Sequence, residues 1–282
     1  MSKESQQEDR NFDTLAKRFK RNIYGGLKGD IRLAVLNRDF ERYIPIAPFV
    51  GGINEADVNS NKQIAGSSAL RILDAGGGQG QFSLRFAQAG HRLVICDISI
   101  EMLKLAQEEA ESLGVQERVE FVHCAIQDLP SHLSCTDFDV VLCHAVMEWM
   151  QEPKQLLPLL LKYLVPQGYL SLTYYNLNSL VYKNLLRTNF KKIIQQDFGG
   201  TRGSLTPINP MAPSTVDSWL SELPLEVISR SGIRVFHDYI FSEVNREREP
   251  DNLIALELQF STLEPFLSLG RYIHVLATKN TI

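Results

Sequence analysis

Apolar side chains recur at helical spacing near the start of the chain. Phe12, Leu15, Phe19 and Ile23 fall on one face, which predicts an amphipathic helix over residues 11–23 with its basic residues outside. Tyr24-Gly25-Gly26 ends that pattern, and residues 28–43 predict a second helix, so residues 1–44 are expected to form a helical cap. Residues 45–69 contain Pro45, Pro48, Gly51-Gly52 and many small polar side chains, the composition of a linker.

From residue 70 short apolar runs alternate with helical stretches. The runs Leu70–Ala75, Arg92–Cys96, Val119–Cys124, Phe138–Cys143 and Tyr169–Tyr175 predict strands. Between them, helices are expected up to Ala89, over Ser99–Leu113 with Ser99 as its cap, and over Gln155–Leu164, where Pro158 is comfortable only in a first turn. Strands separated by helices imply βαβ units and a parallel sheet. Residues 177–213 interrupt the alternation with basic and aromatic side chains and are expected to form an insertion above the sheet edge, on the substrate side. A helix near Ser214–Leu223, a strand near Ile233–Tyr239, a helix near Asn252–Leu263 and a final strand Arg271–Ala277 complete the pattern. The expectation is an α/β domain over residues 70–282, with a mostly parallel seven-stranded sheet and helices on both faces.

Composition adds limits rather than detail. With 282 residues, 44% hydrophobic and 22% charged, the chain has the make-up of an ordinary soluble protein with a sizeable core. Cys96, Cys124, Cys135 and Cys143 form no CxxC pair and have no histidines at metal-ligand spacing, so no metal site is expected. Three of the cysteines lie in apolar runs and read as reduced, buried residues. The polar start MSKESQQEDR and the lack of an 18-residue apolar window exclude a signal peptide and a membrane span, which makes the cytoplasm the expected setting. Charge is unevenly distributed within a net of −4. Arg10, Lys17, Arg18, Lys20, Arg21, Lys28 and Arg32 stand against Asp13 and Asp30, whereas residues 70–176 are acidic. A basic arm on an acidic body can engage a polyanion locally, though a solvated helix face reads the same way.

The strongest local signal is Leu73-Asp74-Ala75-Gly76-Gly77-Gly78-Gln79-Gly80, a D-x-G-x-G-x-G turn after the first strand. Glycine permits positive φ and lets a ligand approach bare backbone. Dinucleotide binders use a similar device, but the GxGxG spacing and the acidic Asp74 just before it point to S-adenosylmethionine (SAM). Asp97 closes the second strand, where a carboxylate can accept ribose hydroxyls. Gln127-Asp128 follow the third strand, at the place of an adenine-amine acceptor, and His144 follows the fourth. Taken singly, Asp97 or Asp128 could be a helix cap and His144 a core histidine. Together they occupy the carboxyl ends of successive strands, where open α/β sheets bind ligands.

Beyond that turn, the blocks Asn11-Phe12-Asp13, Arg21–Gly25, Leu73–Gly80, His144–Trp149, Arg234–Tyr239 and Leu269–Val275 resemble bacterial tRNA 5-carboxymethoxyuridine methyltransferases over nearly the whole chain. The resemblance implies a Rossmann-like class I methyltransferase that uses SAM to esterify the carboxymethoxy group of the tRNA wobble uridine. It also puts Arg32, Gly76, Gly77, Asp97, Ile126, Gln127 and His144 on cofactor positions, beside Asp74 and Gly78 of the turn. The implied partner is a tRNA anticodon loop, with neither DNA nor a membrane involved; the oligomeric state is left open.

The chemistry suits these residues. A carboxylate acceptor, with an ordinary pKa of about 3.3–4.3, arrives deprotonated, so no catalytic base is required and the protein need only orient it. Arg234, His237, Tyr239, Arg271, Tyr272 and His274 gather in two C-terminal strands expected to pair, and Tyr174, Tyr175 and Asn176 end the fifth strand. Arginine grips carboxylates in a bidentate way and tyrosine stacks on bases. About half of each run must point away, leaving Arg234 and Arg271 as the main substrate candidates, followed by Tyr175 and His237. Trp149 and Phe236 read as core. Two rivals are a small-molecule O- or N-methyltransferase and a non-catalytic SAM-fold RNA-binding protein.

Overall fold

The computed structural model describes Asp13 and residues 25–44, 69–200 and 206–281. Apart from Asp13, Ala69 and the start of the second helix, the expectations for residues 1–24 and 45–69 lie outside these residues. The described chain opens with α1 (Gly26–Tyr43), whose buried face includes Leu27, Ile31, Val35, Leu36 and Phe40. There follow β1 (Arg71–Ala75), α2 (Leu84–Gln88), β2 (Arg92–Asp97), α3 (Ile100–Ser112), β3 (Val119–His123), α4 (Leu129–His132) and β4 (Phe138–His144). Next come α5 (Pro153–Leu161), β5 (Leu164–Tyr175), α6 (Leu177–Leu186), α7 (Phe190–Ile194) and α8 (Pro213–Ser221). The chain ends with β6 (Leu225–Ile233), α9 (Glu243–Glu247), α10 (Pro250–Phe260), α11 (Phe266–Leu269) and β7 (Tyr272–Lys279). Ser99 caps α3 as expected, its side chain accepting from the Met102 amide at 3.2 Å.

The seven strands form one sheet in the order β3-β2-β1-β4-β5-β7-β6. Strands β1 to β5 are parallel, and β7 runs antiparallel between β5 and β6. Side chains alternate across the sheet and bury it on both faces. Leu73, Ala75, Val94, Cys96 and Val141 belong to one core, and Ile72, Leu93, Ile95, Val140 and Leu142 to the other. Strand order reverses between β1 and β4, which opens a crevice at their carboxyl ends.

Two elements differ from the sequence pattern. The sixth strand is Leu225–Ile233, not Ile233–Tyr239. Arg234 takes φ +61°, which ends the strand, and His237–Tyr239 form a single helical turn. The buried Glu257 carboxylate holds this bend by accepting from the amides of Val235, Phe236 and His237 at 2.6, 3.0 and 2.7 Å. The apolar look of Val235 and Phe236 therefore reflects an anchored loop; Phe236 packs against Phe260 and Phe266. The second difference is Pro158, which lies inside α5 and beyond its first turn, on the solvent side, while Pro153 takes the start of the helix.

The segment between β5 and β6 leaves and returns at one point. Met211 donates from its amide to the Tyr175 carbonyl at 3.0 Å and accepts from the Leu177 amide at 2.9 Å. This stitch holds α6 and α7 at the carboxyl end of β5.

Candidate active site

The glycine turn is fixed by its neighbours. The Gly76 and Gly77 amides donate to the Cys96 carbonyl at 2.8 and 3.1 Å, tying the turn to the end of β2. Gly76 and Gly78 have φ of +73° and +57°, a region that favours glycine. A Cβ on Gly77 would lie 2.5 Å from Asp74 Oδ2, and one on Gly76 2.5 Å from a Val146 methyl. Asp97 links the turn to the next helix. Its Oδ2 accepts from the Gly78 amide at 2.9 Å and its Oδ1 from the Ser99 amide at 2.8 Å. A carboxylate has about four lone-pair positions, so each oxygen retains one for a ligand hydroxyl.

Asp74 is buried beside this turn. Burial pushes its carboxyl up to about 6, with Ser83 and the charge of Arg32 opposing. Burial also holds the His144 ring well below its usual range, with Arg32 and His274 adding to the effect. Arg32, on α1, thus acts electrostatically on both. Ile126 is buried with its side chain toward Gly76, whereas Gln127 and Asp128 are exposed on the turn after β3. These residues fit SAM: bare backbone along the turn, a ribose acceptor at Asp97, and acidic Asp74 for the cationic end of the ligand.

A second group lies across the crevice. The Arg271 amide donates to the Arg234 carbonyl at 3.3 Å, and the Asn176 amide to the Arg271 carbonyl at 3.1 Å, so three chain segments meet by backbone contacts. Arg271 stacks over the Tyr175 ring at 4.5 Å and Arg234 over Tyr272 at 5.4 Å. Asp238 is their shared counter-ion. It lies 3.3 Å from Arg271, 3.6 Å from Arg234 and 4.0 Å from Lys183, and His237 Nδ1 approaches at 3.0 Å. Burial alone would raise the Asp238 carboxyl, but Arg234, His237, Arg271 and Lys183 hold it well below the usual range. One carboxylate thus faces three cations. Among the described residues Arg271 Nη1 and Arg234 Nε are buried donors with no hydrogen-bond acceptor, a pair suited to an anion. Arg32, Thr173, Ile233, Arg234 and Tyr272 line one small cavity.

Of the weaker candidates, Tyr175 is buried beneath Arg271, and His237 is buried with Nδ1 on Asp238. Trp149 is buried, as its type suggests.

Residues 66–209 match a methyltransferase-domain family model. The tRNA 5-carboxymethoxyuridine methyltransferase of Escherichia coli (strain K12) is 38% identical over 272 residues, 96% of this chain and 97% of that protein. The chain belongs to this tRNA methyltransferase family. A ubiquinone biosynthesis O-methyltransferase of Psychrobacter cryohalolentis is 29% identical over 117 residues, 42% of this chain and 45% of its own. Among solved structures, the plantazolicin methyltransferase BpumL, in complex with a desmethylPZN analog and SAH, superposes with a TM-score of 0.54 at 15% identity, covering 94% of this chain and 88% of its own. The sheet is thus the Rossmann-like class I methyltransferase sheet.

Three further residues stand out beside these groups, and sequence reasoning did not single them out. Glu148 is buried with neither carboxylate oxygen hydrogen-bonded among the described residues, and burial pushes it up to about 8. Lys183 reaches Asp238 from α6, and Asp238 itself is the hub. Glu148 lies in the HAVMEWM block, Asp238 in the RVFHDY block and Lys183 in neither, and only burial and partners distinguish them. Among the described residues no cluster of His, Cys, Asp and Glu could hold a metal ion, and no helix is long and apolar enough to cross a membrane.

Proposed function

We propose that this SAM-dependent methyltransferase esterifies the carboxylate of 5-carboxymethoxyuridine at the tRNA wobble position, with Arg234 and Arg271 gripping the acceptor. The two guanidinium donors that are buried and unsatisfied among the described residues carry this reading. When bound, the cofactor would supply a methyl group on its sulfonium: a carboxylate oxygen would form the O–CH3 bond as the S–CH3 bond breaks, and the sulfur would leave with that electron pair as a neutral thioether. The acceptor is already ionised, so the chain's residues orient it and exclude water without taking a proton. Loss of charge on esterification weakens the hold of Arg234 and Arg271, which favours product release. Arg32, Asp74, Gly76, Gly77, Gly78, Asp97, Ile126, Gln127 and His144 form the cofactor side of the same proposal. So does the division into a cap (1–44), a linker (45–69) and a catalytic domain with a substrate-side insertion (177–213).

The anticodon loop fits against α6 and α7. Lys183, Arg187, Lys191 and Lys192 stand there without an acidic neighbour in residues 177–196. Tyr182, Phe190 and, near Arg187, Phe241 are exposed aromatics on which bases can stack. Cytoplasmic tRNA is the natural partner of such a face. Each single-strand phosphate contact contributes roughly −0.7 to the slope of log binding constant against log salt. Lys191→Ala with Lys192→Ala is expected to weaken tRNA binding and make that slope shallower by about 1.4, two contacts at about 0.7 each. Titrations at several salt concentrations check this, and an unchanged slope removes the face from the interface.

Glu148 yields a pH prediction. Its carboxyl is raised, so the folded chain binds this proton more tightly than the unfolded one. Stability therefore falls as pH rises from the ordinary carboxyl range towards about 8. Glu148→Gln should flatten that decline and raise the melting temperature at pH 8; parallel melts across this range that keep the parent slope would contradict the assignment.

The direct test of function is reconstitution. Purified protein, methyl-labelled SAM and tRNA bearing the free carboxymethoxyuridine should yield label that mild alkali releases as methanol. Label stable to alkali would place the methyl group elsewhere.

A further inference from the structure

Asp39, His274, Ser171 and His144 form a continuous buried hydrogen-bonded chain from α1, through β7 and β5, to the end of β4. His274 Nδ1 lies 2.7 Å from Asp39 Oδ2, Ser171 Oγ lies 2.9 Å from His274 Nε2, and His144 Nε2 lies 2.7 Å from Ser171 Oγ. Asp39, Ser171 and His274 are almost wholly buried, and His144 nearly so. Arg38 closes the far end. Its Nη2 and Nε donate to Asp39 Oδ1 at 2.7 and 3.0 Å, while its other donors reach the Ser231 hydroxyl and the Leu258 carbonyl. Nothing in the methyl-transfer step requires this chain, yet it ends on a residue placed at the cofactor.

We propose that Asp39, His274 and Ser171 are positioning residues that set the tautomer of His144 and so determine which ligand it reads. Burial alone would raise the Asp39 carboxyl, but the hydrogen bond with His274 and the ion pair with Arg38 hold it low. An ionised carboxylate only accepts, so His274 Nδ1 carries a hydrogen. Ser171 has one hydrogen between two imidazole nitrogens, so it donates to one and accepts from the other. Arg38 already balances Asp39, and the arrangement that adds no charge to the core leaves His274 Nε2 bare. Ser171 then donates to His274 and accepts from His144 Nε2–H. His144 Nδ1, which has no hydrogen bond among the described residues, is left as a lone-pair acceptor.

An acceptor at that place takes an N–H or O–H donor. The cofactor carries both, in its ammonium and ribose hydroxyls, whereas the carboxylate being methylated carries neither. The relay therefore keeps His144 off the acceptor carboxylate, which is left to Arg234 and Arg271, and fits His144 to a donor of the cofactor at the end of β4. It also gives α1 a part in cofactor binding through Asp39, on the face of the helix turned to the sheet.

This inference rests on the cofactor reading of the crevice, and the two are separable. The experiment is nitrogen-15 NMR of histidine-labelled full chain, free and with S-adenosylhomocysteine, beside affinity measurements for the same ligand. The expected parent spectrum shows His144 protonated at Nε2. Ser171→Ala should shift His144 to a tautomer mixture and weaken the affinity about tenfold, and Asp39→Asn should move it in the same direction. A parent His144 protonated at Nδ1, or a folded Ser171→Ala with unchanged tautomer and affinity, overturns the proposal. If Ser171→Ala does not fold, the parent spectrum alone decides. His144→Ala with undiminished affinity would instead overturn the cofactor role of His144, leaving the tautomer result to judge the relay.

Discussion

Asp97→Ala is expected to weaken cofactor binding about 100-fold. Asp97 has two duties on one carboxylate. It ties the Gly78 and Ser99 amides together at 2.9 and 2.8 Å, and in the proposed cofactor site its remaining lone pairs would accept the ribose hydroxyls. A hydrogen bond to a charged group contributes about 1.5–3 kcal/mol, so losing those to the ribose accounts for about 3 kcal/mol, or two decades of affinity. Loosening of the glycine turn adds to that loss. Asp97→Asn keeps one acceptor oxygen but turns the other into a donor facing a backbone N–H, so it should fall between parent and alanine. Calorimetric titration with S-adenosylhomocysteine reads all three, and parent-like affinity for Asp97→Ala would remove Asp97 from the cofactor site.

Arg271→Ala is expected to have the largest effect on turnover while sparing the cofactor. Its Nη1 donor is buried and unsatisfied among the described residues, its plane lies over Tyr175, and its Nε faces Asp238 at 3.3 Å. Removing a charge-assisted grip on the acceptor carboxylate should lower kcat/KM for tRNA by about 100-fold. Asp238 keeps Arg234, Lys183 and His237 around it, so the fold should survive. Arg271→Lys retains the charge but loses the fork and the stacking, and should recover only part of the rate. Steady-state kinetics with the cofactor affinity measured in parallel separates the cases. Near-parent turnover of Arg271→Ala would take the substrate carboxylate away from this cluster.

The parts of the site that are local in sequence were the ones that could be read there. Strand β1, the glycine turn and Asp97 are each defined within a few residues by apolar runs and by glycines at positive φ. Ser99 announced its cap in the same way. What failed was the stretch after Ile233, because a carboxylate 20 to 22 residues away, Glu257, decides whether Val235–His237 extends or turns. Arg234 and Arg271 were singled out as substrate ligands on the expectation of paired strands. They do meet, but through loop ends beyond the β6–β7 pairing, whose last partners are Ile233 and Tyr272. Glu148 gave no signal, since its perturbation comes from complete burial that only the packed fold creates. Asp39 is further still from sequence reach. It reads as a polar residue of a surface helix, and its partner His274 is 235 positions away.

The central claim is that this chain forms the methyl ester of the wobble carboxymethoxyuridine, and nucleoside mass analysis of tRNA tests it most directly. tRNA from cells lacking the protein is compared with tRNA from the parent strain. Loss of the methyl ester together with build-up of free 5-carboxymethoxyuridine is the predicted result. An unchanged nucleoside profile would contradict the account and return the acceptor to a small molecule.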